Sequence, residues 1–501
     1  MESSHGRDPH VGPDEVFPVH LIDQTALVRS SLISYTFKYE QVLDASKLRD
    51  SLSTLLASKE WRKVGGRLRV DKAGKLEIHV PIKFTPDRPP IRFSHVHHDM
   101  RMDQHHLARR LPKKTGDKPS LHEGCHTFRE FSIPTTLPND IKHYLSTDEP
   151  LVCLHITTFA DGTLVSITFP HSLTDAMGTS SLIRAWAHVL LQGGCESLDI
   201  HPEGMTNDIL ASVGSPSDKA AEDTKFVLED QETRGLSLLA LGARFAFDMF
   251  ARRNIQTKII YLPANFISHL RQQASKDLKL GSGDEDGGVS FVSDGDIITA
   301  WGSRMILSSA PSRGSALICN VFDMRKRVDG IHWSPTAAYL QNLILPSTTA
   351  LTADEATTLS VSQLAGRVRK AIVEQTTGPQ VRSLMRIARS WFVSPGTMPL
   401  FASWDAIRAI FITNWAKARF LDQADFAPAV EREETRQGVG TLKPVAYWGT
   451  TLSVTDNPRD VFVIYGKDND GDYWVHGYLR AETWELIQNE LEGYCQTLVA
   501  V

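Results

Sequence analysis

A histidine and an aspartate four residues apart carry the clearest chemistry in this chain, within His171-Ser-Leu-Thr-Asp-Ala-Met-Gly178. A neutral imidazole can remove a proton from a hydroxyl near physiological pH, because the ordinary pKa of histidine is about 6.5. The carboxylate of Asp175 can accept hydrogen bonds from the free backbone N–H groups at the beginning of a helix. Helix capping alone would explain such a pair, so the surrounding sequence decides whether it is catalytic.

A strand and a helix are expected to hold this pair in place. Before His171, the run Thr163-Leu-Val-Ser-Ile-Thr-Phe169 alternates in a way that predicts a buried strand. After Asp175, apolar residues recur at helical spacing through Ser180-Ser-Leu-Ile-Arg-Ala-Trp-Ala-His-Val-Leu-Leu191. His171 is therefore predicted at a strand-to-helix junction, where a side chain can be held firmly and still face a cavity.

Bulk composition excludes several classes of protein. A chain of 501 residues is too long for one hydrophobic core, which predicts two domains. The 41% apolar and 23% charged fractions are typical of a globular protein in water. A net charge of −5 without a basic stripe argues against nucleic acid as a partner. Five scattered cysteines without a C-x-x-C pair, together with a polar N-terminus, favour a reducing, cytoplasmic location.

Two segments suggest other functions, and ordinary structure explains each of them better. The apolar stretch 236–250 is shorter than the roughly 20 residues of a membrane span and contains Arg244 and Asp248. We expect a buried or lid helix there and no span, while the following Arg252-Arg253 leaves association with a membrane surface open. The histidine-rich stretch 94–106 lacks the ligand spacing of a closed zinc site, so we predict a solvated loop and no metal.

Strands and helices are mixed along the chain without strict alternation, which predicts an α/β or α+β enzyme. Residues 1–205 are assigned to an N-terminal domain that carries the histidine motif, and about 425–456 are expected to join it. The segment 206–235 is predicted to cross over between domains, because sustained periodicity is lacking there. Residues 236–424 and 457–501 are assigned to a C-terminal domain.

Five blocks of sequence, spread in order over nearly the whole chain, resemble the acyl-CoA-dependent acyltransferases called BAHD. The resemblance is to the fungal branch that modifies secondary metabolites and is trichothecene acetyltransferase-like. The blocks are 48–56 with 64–70 and 74–79, then 159–178, 293–301, 323–327, and 413–415 with 422–426. Each block is a weak signal by itself, and their common order makes the resemblance specific.

The resemblance implies two similar domains of the chloramphenicol-acetyltransferase type, with mixed sheets flanked by helices and a tunnel between them. It implies a monomeric O-acyltransferase that moves an acyl group, expected to be acetyl, from acyl-CoA to the hydroxyl of a small secondary metabolite. Acyl-CoA would be a co-substrate, and no tightly bound cofactor is expected. In this scheme His171 is the general base and no covalent acyl-enzyme forms.

The acidic motif residues receive supporting roles from the same resemblance. Asp175 is expected to point away from His171 toward an arginine and to brace the turn, a role compatible with helix capping. Arg325 is the arginine we name as the partner of an acidic motif residue, either Asp175 or Asp425.

Four further residues are expected to contact the substrates. Ser293 and Arg304 fall in the block that resembles the CoA side, although ordinary surface and capping roles would also explain them. Asn414 and Trp415 are expected to line the site between the domains, with burial in a core as the alternative for Trp415.

Two departures from the family pattern concern the motifs themselves. Pro170 stands where the family often has the first histidine of a pair, which leaves His171 intact in the position of the catalytic histidine. Asp425-Phe-Ala-Pro-Ala429 stands where the family has Asp-Phe-Gly-Trp-Gly, a motif with a mainly structural role. Asp425 is retained, while any stabilisation of an oxyanion by the family's tryptophan is put in doubt.

Two other functions remain open from the sequence. A condensation-type acyltransferase of the same superfamily would take its acyl group from a carrier-protein thioester. A catalytically silent relative would only bind a metabolite, which the altered 425–429 motif allows and the intact His171 and Asp175 argue against. N-acylation would use the same machinery as O-acylation, and the sequence does not name the acceptor.

Overall fold

The computed structural model describes residues 14–138, 140–251, 254–280, 291–309, 314–328, 334, 336–392, 396–431, 440–452 and 458–499. The strands in these ranges are β1 Glu15–Pro18, β2 Leu32–Tyr39, β3 Arg67–Val70, β4 Leu76–Val80, β5 Ile91–His97, β6 Ser120–Glu123, β7 Val152–Phe159, β8 Gly162–Pro170, β9 His201–Glu203, β10 Ile255–Leu262, β11 Ala316–Asp323, β12 Ala337–Tyr339, β13 Ile344–Leu351, β14 Arg408–Asn414, β15 Ala446–Thr451, β16 Val461–Lys467 and β17 Tyr473–Arg480. The helices are α1 Ala26–Ser30, α2 Ala45–Ala57, α3 Ile141–Ser146, α4 Ala176–Gln192, α5 Lys219–Glu222, α6 Gly235–Ala251, α7 Ala264–Leu280, α8 Asp294–Ser308, α9 Ala353–Thr358, α10 Val361–Gln375, α11 Gly378–Trp391, α12 Phe420–Gln423 and α13 Ala481–Val499.

The strand predicted before His171 is β8, the central strand of a five-stranded sheet with the order β15-β2-β8-β7-β5. It pairs antiparallel with β2 and β7, and every residue along it is buried. The apolar faces of α2 and α4 pack on this sheet, with Leu52 and Trp186 fully buried between them. The strand and helix predicted on either side of the histidine–aspartate pair are thus confirmed.

A second, seven-stranded sheet has the order β13-β11-β14-β16-β17-β10-β6. Its pairings β11–β14 and β14–β16 are parallel and the others are antiparallel. α7, α8, α10 and α13 contribute to its core, where Trp301 and Trp484 are buried. Two mixed sheets flanked by helices confirm the mixed α/β fold class.

Each sheet contains a strand from a distant part of the chain. β15 pairs with β2 in the five-stranded sheet, although it follows most of the second sheet in sequence. β6 precedes His171 in sequence and yet pairs with β10 in the seven-stranded sheet. The division of the chain into domains stays a prediction, and these two exchanges link the sheets.

Two segments differ from their predicted structure. The first half of the histidine-rich stretch is strand β5, in which His95 and His97 both hydrogen-bond to Thr158 on the neighbouring strand, so the loop prediction is wrong there. The stretch 236–250 is a helix, as predicted, but much of its apolar surface faces solvent, so of the two predicted forms the buried helix is wrong and the lid helix stays a prediction. Among the residues that the structure describes, no helix is both long enough and apolar enough to cross a membrane.

Candidate active site

His171 stands at the end of β8, where the sheet gives way to a short 3-10 turn, His171–Leu173. Its backbone N–H donates to the carbonyl of Ser31 at 2.8 Å, which extends the pairing with β2 by one residue. Its ring Nδ1 lies 3.1 Å from the carbonyl oxygen of Thr174. A carbonyl can only accept, so this contact favours the tautomer with the proton on Nδ1 and the lone pair on Nε2.

Asp175 caps α4 and turns its carboxylate away from the imidazole. Its Oδ1 accepts from the backbone N–H of Gly178 at 2.9 Å, and its Oδ2 accepts from that of Leu343 at 3.0 Å. The Arg325 guanidinium makes two further hydrogen bonds to the same carboxylate, at 2.9 and 3.0 Å. Of the two carboxylates considered for Arg325, the structure places Asp175 against it, so that capping and ion pairing occur together.

Arg325 joins this turn to the ends of β11 and β12. It follows β11, and it donates to the carbonyls of Tyr339 and Gln341 and to the carboxylate of Asp323. Burial disfavours the charged guanidinium, but the carboxylates of Asp175 and Asp323 outweigh it, so the pKa of Arg325 rises above its usual value. The guanidinium of Arg325 therefore stays charged, and its two hydrogen bonds to Asp175 clamp the turn to the end of β11.

Two residues that the sequence did not indicate support the backbone of His171, Asn342 by direct contact and Asp23 by holding Asn342. Asn342 donates through Nδ2 to the carbonyl of His171 at 2.9 Å and to Oδ1 of Asp23 at 2.5 Å. Asp23 is completely buried, and burial raises its pKa to about 8 despite these hydrogen bonds and the charge of Lys63. Neither residue is near His171 in the sequence, and no motif spacing could have found them.

The raised pKa of Asp23 gives the stability of the protein a pH dependence of known sign. Protonation favours the folded state, so this contribution is fully present below about pH 4 and is lost as pH rises through about 8. We expect Asp23→Asn to gain stability relative to the wild type by up to about 1 kcal/mol per pH unit between about pH 5 and pH 8. Urea unfolding between pH 5 and pH 8 measures the free energy of unfolding of each protein, with Asp50→Asn at an exposed position as the control. If this free energy changed with pH equally in Asp23→Asn and the wild type, the raised pKa would not belong to Asp23.

Gly178, in the first turn of α4, leaves room for the backbone of Leu340, which lies between β12 and β13. A Cβ built there would collide with the carbonyl oxygen of Leu340 and with Oγ1 of Thr174. We expect Gly178→Ala to destabilise the fold by about 1–3 kcal/mol and to lower kcat about 10–100-fold, because the turn must shift. Gly493→Ala, in open space on α13, should leave both thermal unfolding and turnover near wild type; equal behaviour of the two variants would contradict this prediction.

Asp425 lies in a structural turn that packs behind α4. Its Oδ1 accepts from the backbone N–H groups of Ala427 and Leu442, at 3.2 and 2.8 Å. The following Phe426 is fully buried, with its ring centroid 4.4 Å from that of Trp186. These contacts agree with a structural role for the motif, and Pro428, which has no backbone N–H, offers no donor to an oxyanion.

Asn414 and Trp415 lie at the end of β14, where the two sheets meet. The Trp415 ring is 5.3 Å from that of Tyr35 in the first sheet and 5.6 Å from that of Tyr465 in the second. Asn414 caps the turn after the strand, because its Oδ1 accepts from Ala416 N–H at 2.9 Å. Both residues thus lie at the junction of the sheets, and whether they contact substrate stays a prediction.

Ser293 and Arg304 lie at opposite ends of α8. Ser293 is its N-cap in a capping box with Asp296 and also accepts from Arg369 at 2.7 Å. Asn414 approaches the same helix end, since a Cβ on Gly295 would lie 2.7 Å from its Nδ2. The Arg304 guanidinium instead donates to carbonyls at the end of α9, which separates it from the Ser293 end.

The family match and the relatives identify this chain as an acyltransferase. A family model described as Transferase family matches residues 133–428, more than half of the chain. The chain belongs to this family, and its fold is of the BAHD type.

Similar proteins cover nearly the whole chain. Acetyltransferase BOT5 of Botryotinia fuckeliana is 54% identical over 504 residues, covering 96% of this chain and 91% of the relative. O-acetyltransferase PaAT-2 of Phomopsis amygdali is 32% identical over 490 residues, covering 96% and 98%. The solved structure of F. sporotrichioides TRI101 with coenzyme A and T-2 has a TM-score of 0.64 at 16% identity, covering 94% of this chain and 96% of that one. Vinorine synthase has a TM-score of 0.55 at 13% identity, covering 96% and 93%.

Proposed function

We propose that this protein is an O-acyltransferase that moves an acetyl group from acetyl-CoA to a hydroxyl of a small secondary metabolite, with His171 as the general base. The single observation that carries the proposal is the contact of His171 Nδ1 with the Thr174 carbonyl, because it directs the basic lone pair to Nε2. The similarity to the acetyltransferase BOT5 and the O-acetyltransferase PaAT-2 supports acetyl transfer. The coenzyme A and T-2 bound to TRI101 support a CoA thioester as donor and a small acceptor molecule.

In the proposed reaction Nε2 of His171 takes the proton of the acceptor hydroxyl as its oxygen attacks the thioester carbonyl. The tetrahedral intermediate collapses with cleavage of the carbon–sulfur bond, and the imidazolium returns the proton to the CoA sulfur. The products are an acetyl ester and free CoA, so atoms and charge balance without another reactant. Asp175 and Arg325 hold the turn, and Asn342 holds the His171 carbonyl, so that Nε2 keeps its position during both transfers.

Direct transfer without an acyl-enzyme is favoured by the state of the buried thiols. Burial raises the pKa of Cys125, Cys153 and Cys319 to about 12, so each stays protonated at neutral pH. The thiolate is the nucleophilic form of cysteine, and a buried neutral thiol reacts poorly with a thioester. This supports attack by the acceptor itself on the donor carbonyl.

A polar cavity of about 480 Å³ is our candidate for the phosphate end of CoA. Its lining includes the cations Arg419, Lys443 and Lys467. Lys467 also pairs with Asp294 at 3.2 Å, which brings the Ser293 end of α8 to the cavity. Asp422 pairs with Arg419 and Lys443, so a phosphate would share these two cations with it.

Aromatic rings connect this cavity with the catalytic strand. Phe420 lines the cavity and lies 4.9 Å, centroid to centroid, from Tyr35. Tyr35 lies 6.1 Å from Phe169, which precedes His171 by two residues. These rings are almost completely buried, so core packing connects the candidate CoA cavity with the strand that carries His171.

The CoA assignment predicts a selective loss of donor binding. Lys443→Gln should raise the KM for acetyl-CoA about tenfold, because a charged hydrogen bond to phosphate is removed, while kcat stays near wild type. Lys59→Gln, elsewhere on the surface, is the matched control for loss of one lysine charge. Steady-state kinetics with varied acetyl-CoA measure the effect, and an unchanged KM in the Lys443 variant would exclude this cavity as the phosphate site.

The proposed activity is tested by incubating the full chain with acetyl-CoA and a panel of hydroxylated metabolites while free thiol is measured. CoA release that depends on the acceptor, with an acetyl ester detected by mass spectrometry, is the expected result. Transfer from an acylated carrier protein without CoA release would instead identify a condensation-type enzyme. Metabolite binding without either transfer would identify a silent relative. We further propose a monomer acting in the cytoplasm, which light scattering and cell fractionation test.

A further inference from the structure

The most unusual surface of this protein is an apolar stripe along α6. Leu236, Leu239 and Phe247 expose 84%, 70% and 71% of their surface, and Phe250 exposes 70%. These positions follow the spacing of one helical face, with the small exposed residues Ala243 and Ala246 between them. A contiguous exposed apolar face of this kind marks an interaction site, because single scattered apolar residues are the normal condition of a surface.

Trp404 extends the stripe beyond the helix. Its side chain is 66% exposed, and the guanidinium of Arg244 on α6 lies 5.6 Å from the centre of its ring. Arg244 also donates to the backbone carbonyl of Trp404, which ties the loop to the helix. The α6 patch is therefore defined by Leu236, Leu239, Phe247, Phe250 and Trp404.

The opposite face of α6 is anchored to the second sheet, so that the patch is held outward. Leu241 is buried against Leu317 and Cys319 of β11. Asp248 receives hydrogen bonds from Arg459 and Arg480, at 2.8 to 3.0 Å. These contacts fix the rotation of the helix about its axis and lay it flat on the protein.

The charges around the patch favour an anionic partner. Between residues 232 and 253 the sequence has four arginines and two acidic residues, Glu232 and Asp248, although the whole chain carries a net charge of −5. Arg234 pairs with Glu232 at 2.7 Å, and Arg459 and Arg480 pair with Asp248, so arginines neutralise both carboxylates. A second copy of the chain is a poor partner, since antiparallel pairing of two α6 helices would bring their arginine-bearing ends together.

We propose that the α6 patch docks on the surface of an anionic membrane. A helix that lies flat, with leucine and aromatic side chains outward and arginines at its flanks, has the features of an interfacial membrane-binding helix. Its apolar residues enter the boundary between headgroups and acyl chains, where the Trp404 indole is also favoured. The arginines interact with the lipid phosphates and anionic headgroups.

Co-sedimentation of the full chain with vesicles tests this surface. The wild type should bind phosphatidylcholine vesicles that contain phosphatidylserine, bind less to phosphatidylcholine alone, and dissociate progressively as salt increases. Leu239→Glu with Phe247→Glu should weaken binding at least about tenfold, because two charges enter the apolar face. Val373→Glu, 58% exposed on α10, is the matched control and should bind as the wild type does.

Thermal unfolding and acetyl transfer to a soluble acceptor, where one is found, show that the variants are folded. Trp404→Gln, a second variant outside the helix, should also weaken vesicle binding. It keeps the test decisive if the helical double variant does not fold. No vesicle binding by the wild type, or equal binding by wild type and Trp404→Gln, would overturn the proposal. A third result would also overturn it: a wild type that is a dimer in light scattering and does not bind vesicles, and that the Leu239 and Phe247 substitutions convert to a monomer. The patch would then be covered by a second copy of the chain.

Discussion

His171→Ala is expected to lower kcat about 10²–10⁴-fold while folding and affinity for acetyl-CoA stay near wild type. The range is that of a positioned general base, because an alanine leaves the acceptor hydroxyl to be deprotonated by water alone. The fold is expected to survive because the hydrogen bonds to Ser31 and Asn342 use the backbone of residue 171, which the substitution keeps. Turnover is measured by thiol release, CoA affinity by calorimetry and folding by thermal unfolding.

The matched control for this change is His201→Ala. His201 lies on the surface, where its ring hydrogen-bonds to the exposed Glu60, and its loss should leave turnover unchanged. Near-normal turnover in His171→Ala would show that the general-base assignment is wrong. A loss of both turnover and folding in His171→Ala, with His201→Ala intact, would assign the histidine a structural role instead.

The second large effect concerns the buried pair of Asp175 and Arg325. Arg325→Met should lower the free energy of unfolding by about 3–5 kcal/mol, since it leaves a buried carboxylate without its counter-charge. Asp175→Asn should cost less, because an amide oxygen can still accept from the N–H groups of Gly178 or Leu343 and Asp323 still faces Arg325. Urea unfolding gives these values, and thiol release gives the accompanying loss of turnover.

The double variant distinguishes a structural brace from a proton-transfer role. With both charges removed, Asp175→Asn with Arg325→Met should be more stable than Arg325→Met alone, because the two residues interact directly. Its remaining activity should follow its remaining stability. A stable Asp175→Asn protein that has lost only its chemistry would contradict the bracing role and assign Asp175 directly to catalysis.

Local signals in the sequence were sufficient for the elements around the site. The alternating run before His171 is β8, and the helical spacing after Asp175 is α4, because both patterns report which face of an element is apolar. The prediction of a loop is wrong for the first half of the histidine-rich stretch because its polar side chains lack the apolar alternation that indicates a strand. Backbone pairing with β7 and the Thr158 hydroxyl stabilise that strand, and neither can be seen within the stretch itself.

The periodicity of the sequence could not predict whether the apolar face of α6 is buried or exposed. Its leucine and phenylalanine spacing predicts an apolar helical face, and the same spacing would suit a helix packed in a core. Only the position of the helix relative to the second sheet shows that Leu241 is covered while Leu236 and Leu239 are not. The rotation of α6 about its axis therefore decides which of its apolar side chains form the docking face.

The sequence by itself determined the histidine, the aspartate and the junction that presents them, because these depend on residues within about 30 positions of one another. The tertiary structure alone decided what faces each of them: Arg325 against Asp175, and Asn342 with Asp23 behind His171. The physical reason is that hydrogen bonds and ion pairs act over a few ångströms in space. These partners are separated by about 150 residues or more of chain, over which local sequence patterns carry no information about distance.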